Sequence, residues 1–178
     1  IVGALVDGEE TRKRGFLITN NTASLYFKGI GIKNQIYNGF HSSYNFLIDV
    51  RYCAVYNCQQ NGYLIEYTNK GNLWYLGSVK NNIVNSGAHA GISVTYKSLA
   101  YIYACGISDN KKQGIFIKTH SFATINNNFG DNNGNWGTYV LTSGQAKIVG
   151  TECSGSSGNH SDSGTADTAG ADQAAAYT

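Results

Sequence analysis

The stretches Gly91–Gln113, GISVTYKSLAYIYACGISDNKKQ, and Gly114–Trp136, GIFIKTHSFATINNNFGDNNGNW, are each 23 residues long. Each opens with Gly, an apolar residue, any residue, then a second apolar one. Each has an apolar pair near its middle and an Asp/Asn-rich turn near its end. Identity between them is low. What repeats is the direction in which each side chain points.

Anchored on the glycine, the period extends both ways. Gly15, Gly39, Gly62, Gly91, Gly114 and Gly137 stand 24, 23, 29, 23 and 23 residues apart. The runs FLIT, YLIE, ISVT, IFIK and TYVL follow five of these glycines, with FHSS after Gly39 the weak member. Alternation with one apolar face is the mark of a strand. A second strand begins eight residues after the glycine, as at Leu47/Val50, Leu99/Ile102 and Phe122/Ile125. Polar turns follow at 57–58, 80–82, 108–110 and 131–133. The interval of 29 reads as one coil with six extra residues, placed in the segment 82–90, NIVNSGAHA.

A fixed period of this length means stacked repeats. The Leu/Asn consensus of leucine-rich repeats is absent. So is the helical periodicity of ankyrin and tetratricopeptide repeats, and propeller blades are longer. Two or three short strands joined by Asn/Gly corners suit one coil of a parallel β-helix. A single coil cannot bury its inward side chains, but coils stacked at about 4.8 Å can. Six coils make a rod on the order of 30 Å long. Gly and Asn are expected at the corners because they tolerate left-handed backbone angles, and stacked Asn side chains can bond along the rod.

The segment GIFIKTHSFATINNNFGDNNGNWG resembles the repeat of right-handed parallel β-helix proteins of the pectate-lyase-like superfold. Within that group, Tyr- and Asn-rich coils without Pro look most like bacteriophage tailspikes and related receptor-binding proteins. The resemblance covers about Gly15 to Gly150. It implies an all-β, right-handed parallel β-helix of about six coils.

Composition agrees. The chain has 22 Gly, 13 Tyr, no Pro and no Met, which suits turn-rich β structure. Only 13% of residues are charged and the net charge is +2, so the whole-chain balance implies no polyanion partner and no nucleic-acid stripe. No membrane-inserting segment and no signal peptide are visible. A chain that opens IVGALV without Met reads as a processed product or an excised domain. Cys53, Cys58, Cys105 and Cys153 form no CxxC pair and read as buried free thiols that fold in a reducing compartment. Residues 1–14 read as a partial coil or capping segment, 15–150 as the β-helix, and 151–178 as a Ser/Gly/Ala-rich tail or linker.

For chemistry, three groups stand out. Tyr44, Tyr67 and Tyr96 each lie five residues after their glycine, so their rings should line up along the rod. Such a column is either a stabilising stack or a platform for sugar rings, whose C–H faces suit aromatic surfaces. Trp74 and Tyr75 are expected to extend it. Glycoside hydrolysis needs two carboxylates, and the candidates are Glu66, Asp109 and Asp131. A lyase needs a base, for which Lys97, Lys118 and His120 lie at similar offsets. No metal cluster and no cofactor motif is evident. The opening IVG and the run SDSG at 161–164 lack a His in the setting a serine-protease triad needs.

Leu17, Leu64, Phe116 and Tyr139 each fall two residues after their glycine and predict an apolar outer face suited to a homotrimer. Together with the resemblance, these features imply a tailspike-type receptor-binding segment that engages bacterial surface polysaccharide, with or without degrading it, on a virion tail outside the cell. The alternatives are a secreted or cell-surface bacterial polysaccharide lyase, hydrolase or adhesin, and a purely structural fibre segment.

Overall fold

The computed structural model describes residues 2–9, 11–81, 89–141, 143–162 and 165–167. The strands follow one another coil by coil. β1 (Val2–Asp7), β2 (Phe16–Thr19) and the long β3 (Ser24–Lys33) open the chain. The second coil is β4 (Phe40–Ser43), β5 (Leu47–Arg51) and β6 (Ala54–Tyr56). The third is β7 (Tyr63–Glu66), β8 (Lys70–Trp74) and β9 (Gly77–Val79). The fourth is β10 (Ala90–Thr95), β11 (Leu99–Tyr103) and β12 (Gly106–Ser108). The fifth is β13 (Gln113–Ile117), β14 (Phe122–Asn126) and β15 (Phe129–Asn133). The sixth is β16 (Trp136–Val140), β17 (Gln145–Val149) and β18 (Glu152–Gly155). β19 (Gly158–Asp162) and β20 (Thr165–Asp167) begin a seventh.

Strands stack only on their equivalents in neighbouring coils, always in parallel. β2, β4, β7, β10, β13, β16 and β19 form one sheet. The remaining strands form a second sheet that bends where β3 runs without a break across two faces. The result is a parallel β-solenoid of about six turns with three faces, named here for their third-coil strands β7, β8 and β9. Residues 151–178 carry more than a tail. β18, β19 and β20 pair with β15, β16 and β17 and continue all three faces to Asp167, because Cys153 and His160 supply inward side chains in register. Residues 168–178 lie outside the described residues, as do 82–88, where most of the inserted segment falls. No helix among the described residues is long and apolar enough to cross a membrane.

The interior is built of columns. Phe16, Phe40 and Tyr63 stack inward on the β7 face, with Phe27 edge-on to Phe40 at 5.3 Å. Ile92 and Ile115 continue the column and are fully buried. On the β8 face Val50, Leu73, Ile102, Ile125 and Ile148 form a second buried column. Identity is free to drift because each position needs only bulk and inward direction.

The corners correct one expectation. The repeat glycines do not adopt left-handed angles. A Cβ on Gly62 would lie 2.5 Å from Ser78 Oγ, and one on Gly114 would lie 2.6 Å from the Gly137 carbonyl oxygen. Glycine is required there by close approach, not by φ. The left-handed positions are three other columns. Between the β7 and β8 faces they are Asn20, Tyr44, Tyr67, Tyr96 and Thr119, with φ from 46° to 56°. Between β8 and β9 they are Gly29, Tyr52, Tyr75, Ala104, Asn127 and Gly150, with φ from 51° to 66°. After the β9 face they are Asn34, Asn57, Lys80, Asp109 and Asn132, with φ from 54° to 58°.

Such a turn takes the next backbone N–H out of the sheet ladder. A side chain from the following coil accepts it instead. The N–H of Cys58 donates to Asn81 Oδ1 at 3.0 Å, and that of Asn81 to Asn110 Oδ1 at 3.1 Å. The N–H of Cys105 donates to Asn128 Oδ1 at 2.9 Å, and that of Thr68 to Ser98 Oγ at 3.1 Å. Buried amides and hydroxyls thus complete the backbone at these corners.

Candidate functional site

At the corner between the β7 and β8 faces, the expected tyrosine column forms. The Tyr44 and Tyr67 rings are 4.5 Å apart and 3° from parallel, and those of Tyr67 and Tyr96 are 4.8 Å apart and 6° from parallel. The coil rise of about 4.8 Å sets this spacing. Tyr67 therefore has both ring faces covered by tyrosine, while Tyr44 has one. Beside Tyr44 opens a recess of about 300 Å³, lined by Asn21, Thr22, Asn45, Phe46, Tyr67 and Asn69. Tyr44 and Phe46 are the most exposed rings at its edge, each 55% accessible, with Tyr67 at 39%.

Trp74 and Tyr75, expected beside this column, lie at the far end of the β8 face. Tyr75 occupies the next corner and stacks on Tyr52 at 5.0 Å. The outward surface between the two tyrosine columns is rich in rings. Trp74 lies 5.2 Å from both Tyr101 and Tyr103. The Arg51 guanidinium sits over two rings, 5.6 Å from the centre of Tyr26 and 5.5 Å from that of Trp74. Asp49 holds it there, accepting from Nε at 2.7 Å and Nη2 at 2.8 Å. Strand alternation puts positions 47, 49 and 51 on one side, so residues 26, 49, 51, 72, 74, 101 and 103 share this outward face.

The candidate carboxylates divide between two corners. Glu66 ends β7 and faces outward. Its Oε1 lies 2.8 Å from His41 Nε2, and this bond, more than the opposing effect of burial, holds its carboxyl below the ordinary value. His41 Nδ1 is buried without a hydrogen-bond partner. Asp109 and Asp131 lie instead at the corner after the β9 face, where the Asp109 N–H donates to the Asp131 carbonyl oxygen at 3.0 Å. The structure brings these two to adjacent coils and keeps Glu66 apart at the other end of the β7 face. Lys97 and His120 follow left-handed Tyr96 and Thr119 on neighbouring coils and share their angles. The ammonium of Lys118 lies 4.8 Å from the centre of Phe116, and burial pushes it below the ordinary lysine range.

The expected apolar outer row also changes. Leu17, His41, Leu64, Ser93, Phe116 and Tyr139 are in register on the β7 face, so polar residues interrupt the series. Of its four apolar members Leu17 is exposed, whereas Phe116 is buried and stacks on Tyr139 at 5.3 Å.

Among the described residues no three His, Cys, Asp or Glu side chains come together as a metal site. The four cysteines are free and buried. Burial pushes the Cys58 thiol up to about 11 and that of Cys105 to about 12.

Sequence reasoning missed the Asp49–Arg51 pair, although its two-residue spacing on a strand places both side chains on one face. It also missed His41, which sits in the weak run after Gly39, and Phe46, which falls between the anchored offsets.

A protein-family model described as "Periplasmic copper-binding protein (NosD)" matches residues 4–168. Among solved structures, tailspike protein 2 of the Escherichia coli O157:H7 bacteriophage CAB120 is similar, with a TM-score of 0.58 and 15% identity over 83% of this chain. The chain spans 24% of that tailspike's length. The likeness is one of fold, a parallel β-solenoid. None of the curated proteins matches significantly.

Proposed function

The chain belongs to the NosD family, and on that premise we propose that it is a tailspike-like solenoid segment that recognises bacterial surface polysaccharide on its β8 face. The observation that supports this reading is the outward floor of Tyr26, Trp74, Tyr101 and Tyr103, bordered on both sides by tyrosine columns. Sugar rings present C–H faces to aromatic rings and hydroxyls to polar groups. Asn72 and Arg51 stand among the rings, and Asn21 and Asn69 line the Tyr44 recess.

Binding fits this site better than cleavage. Hydrolysis needs a carboxylate pair, one member protonated as the acid. On the β8 face, from β3 to β17, Asp49 is the one carboxylate, and Arg51 engages it. Glu66 is held ionised by His41 at a different position. In a homotrimer a neighbouring subunit would be the source of a second carboxylate. Self-association belongs to the same proposal. The most exposed large apolar side chains, Leu5 at 70% and Phe129 at 59%, flank a strip of Gly31, Ala54, Gly77 and Gly106 on the β9 face. The setting proposed is outside the cytoplasm, on a virion tail or at the bacterial envelope.

Copper does not follow from the family. Its soft ligands are thiolates and thioethers, with imidazole as the other common donor. This chain has no Met, its thiols are buried and protonated, and its described His residues do not cluster.

The test is retention of a panel of bacterial capsular and O-antigen polysaccharides on immobilised protein, with polymer size followed in parallel. Retention of at least one polymer at unchanged length is expected. Shortening would replace the binding role with a depolymerase. No retention across the panel would overturn the reading in favour of a structural fibre segment.

A further inference from the structure

We infer that the polymer taken by the β8 face is an acidic one, and that Lys28 and Arg51 hold its anionic group. The inference rests on the proposed polysaccharide role and specifies the ligand class of the same face. It is not visible in the whole-chain charge of +2. From β3 to β20 this face carries Lys28, Arg51, Lys70 and Lys147 against Asp49 and Asp167, four cations less two carboxylates, or +2, and three of the four cations stand in the first three coils. The charge is therefore concentrated on the face that also carries the rings.

Within the face, Lys28 and Arg51 are direct neighbours in the parallel register, and Trp74 is the next position. Like charges placed side by side on a sheet repel. No carboxylate among the described residues pairs with Lys28. Its ammonium lies 5.4 Å from the centre of Tyr52. Asp49 takes two of the five Arg51 donors, leaving Nη1 and one hydrogen of Nη2. The Arg51 side chain is 42% accessible, so these donors are within reach of a ligand.

Asp49 acts as a positioning residue, fixing the guanidinium between Tyr26 and Trp74. A carboxylate carried on a sugar ring needs a cation beside an aromatic surface. Here two cations stand beside three rings, those of Tyr26, Tyr52 and Trp74. The Tyr44 recess, lined by amides, a hydroxyl and rings and free of charge, suits the neutral residues of the same polymer.

The experiment compares hyaluronan, polysialic acid, xanthan and gellan with the same polymers after carboxyl reduction, and with dextran, on the immobilised full chain. The acidic forms should be retained about tenfold more strongly than their reduced counterparts, and raised salt should weaken them. Lys28→Gln and Arg51→Gln should each lower that retention. Lys111→Gln removes the same charge from an exposed corner remote from the face and should leave it unchanged. Equal retention of acidic and reduced polymers would overturn the acidic preference and leave polysaccharide binding standing. Equal losses in Arg51→Gln and Lys111→Gln would overturn the assigned residues. No retention of any polymer, here and in the capsular panel, would overturn both readings.

Discussion

The rings of Tyr44 and Tyr67 lie 4.5 Å apart and 3° from parallel, and Tyr67 makes a second such stack on Tyr96. The column spends its central ring faces on itself. Tyr67 is thus a stabilising element and Tyr44, at the end and beside the recess, a ligand-facing one. Tyr67→Ala loses two stacks and should lower the thermal midpoint by about 3 °C, and because Tyr67 also lines the recess it should weaken polysaccharide retention, though less than Tyr44→Ala does. Tyr44→Ala should show the opposite balance, a smaller midpoint change and a clear loss of retention. Scanning calorimetry and retention on the same two variants separate the roles.

Ala104 occupies a left-handed corner at φ 51°, in one column with Gly29 and Gly150. A Cβ in that region costs about 1–2 kcal/mol, against a smaller entropy loss for glycine in the unfolded chain. Ala104→Gly should therefore stabilise the protein by roughly 0.5–1 kcal/mol, the reverse of the usual sign. The check is a higher denaturant midpoint with an unchanged slope.

The period and strand alternation were legible because inward positions repeat as bulk, and the tyrosine column because equal offsets on stacked coils share a position. The corners were not. Tyr, Lys, Thr and Asp stand at left-handed positions where Gly or Asn was expected, and the repeat glycines answer to crowding from Ser78 and neighbouring backbone. Local preference does not show this, because each turn is completed by a side chain 23 or more residues away, as Asn81 is by Asn110. The placing of Trp74 at the far edge of its face depends on where the coil bends, which alternation within one strand does not encode.

Asn110 shows what those corner ladders contribute. Fully buried, it accepts the Asn81 N–H at 3.1 Å and donates from Nδ2 to the Ser78 carbonyl and to Asn133 Oδ1, both at 3.0 Å. Asn110→Ala leaves the buried Asn81 N–H unmatched and takes the Nδ2 donor from the Ser78 carbonyl, while the Asn110 N–H stays on Asn133 Oδ1, and should cost ~3 kcal/mol. Asn110→Asp keeps the acceptor but turns a charged oxygen toward two others. It should be the less stable variant at neutral pH and recover on acidification, read by denaturation at two pH values.

His41 and Glu66 give the β7 face a pH dependence of known sign. The bond to His41 holds the Glu66 carboxyl below its ordinary 4.5. A carboxyl depressed in the folded state contributes stability that is fully present above its unfolded value and is lost as pH falls through the folded one. The wild type should weaken as pH falls below the ordinary 4.5, and Glu66→Gln should weaken less over the same acid range while starting lower. Chemical denaturation of both proteins across the range reads the difference.

Cys105 decides the copper question more sharply than the absence of methionine. Its thiol is fully buried, donates toward the Tyr103 carbonyl oxygen at 3.4 Å, and is pushed up to about 12 by burial. A thiolate is the form that binds metal and reacts with disulfides. Producing one here would place a charge inside a column of Ile and Leu. Cys58, raised to about 11, is in the same position. The folded protein should therefore leave a chromogenic disulfide reagent unreacted until denaturant unfolds it, when all four thiols respond together. Cuprous ion should not raise the thermal midpoint. A midpoint that rises in proportion to added copper, saturating at one ion per chain, would mean that the solenoid opens to expose these sulfurs, and the close-packed interior described for coils two to six would need revision.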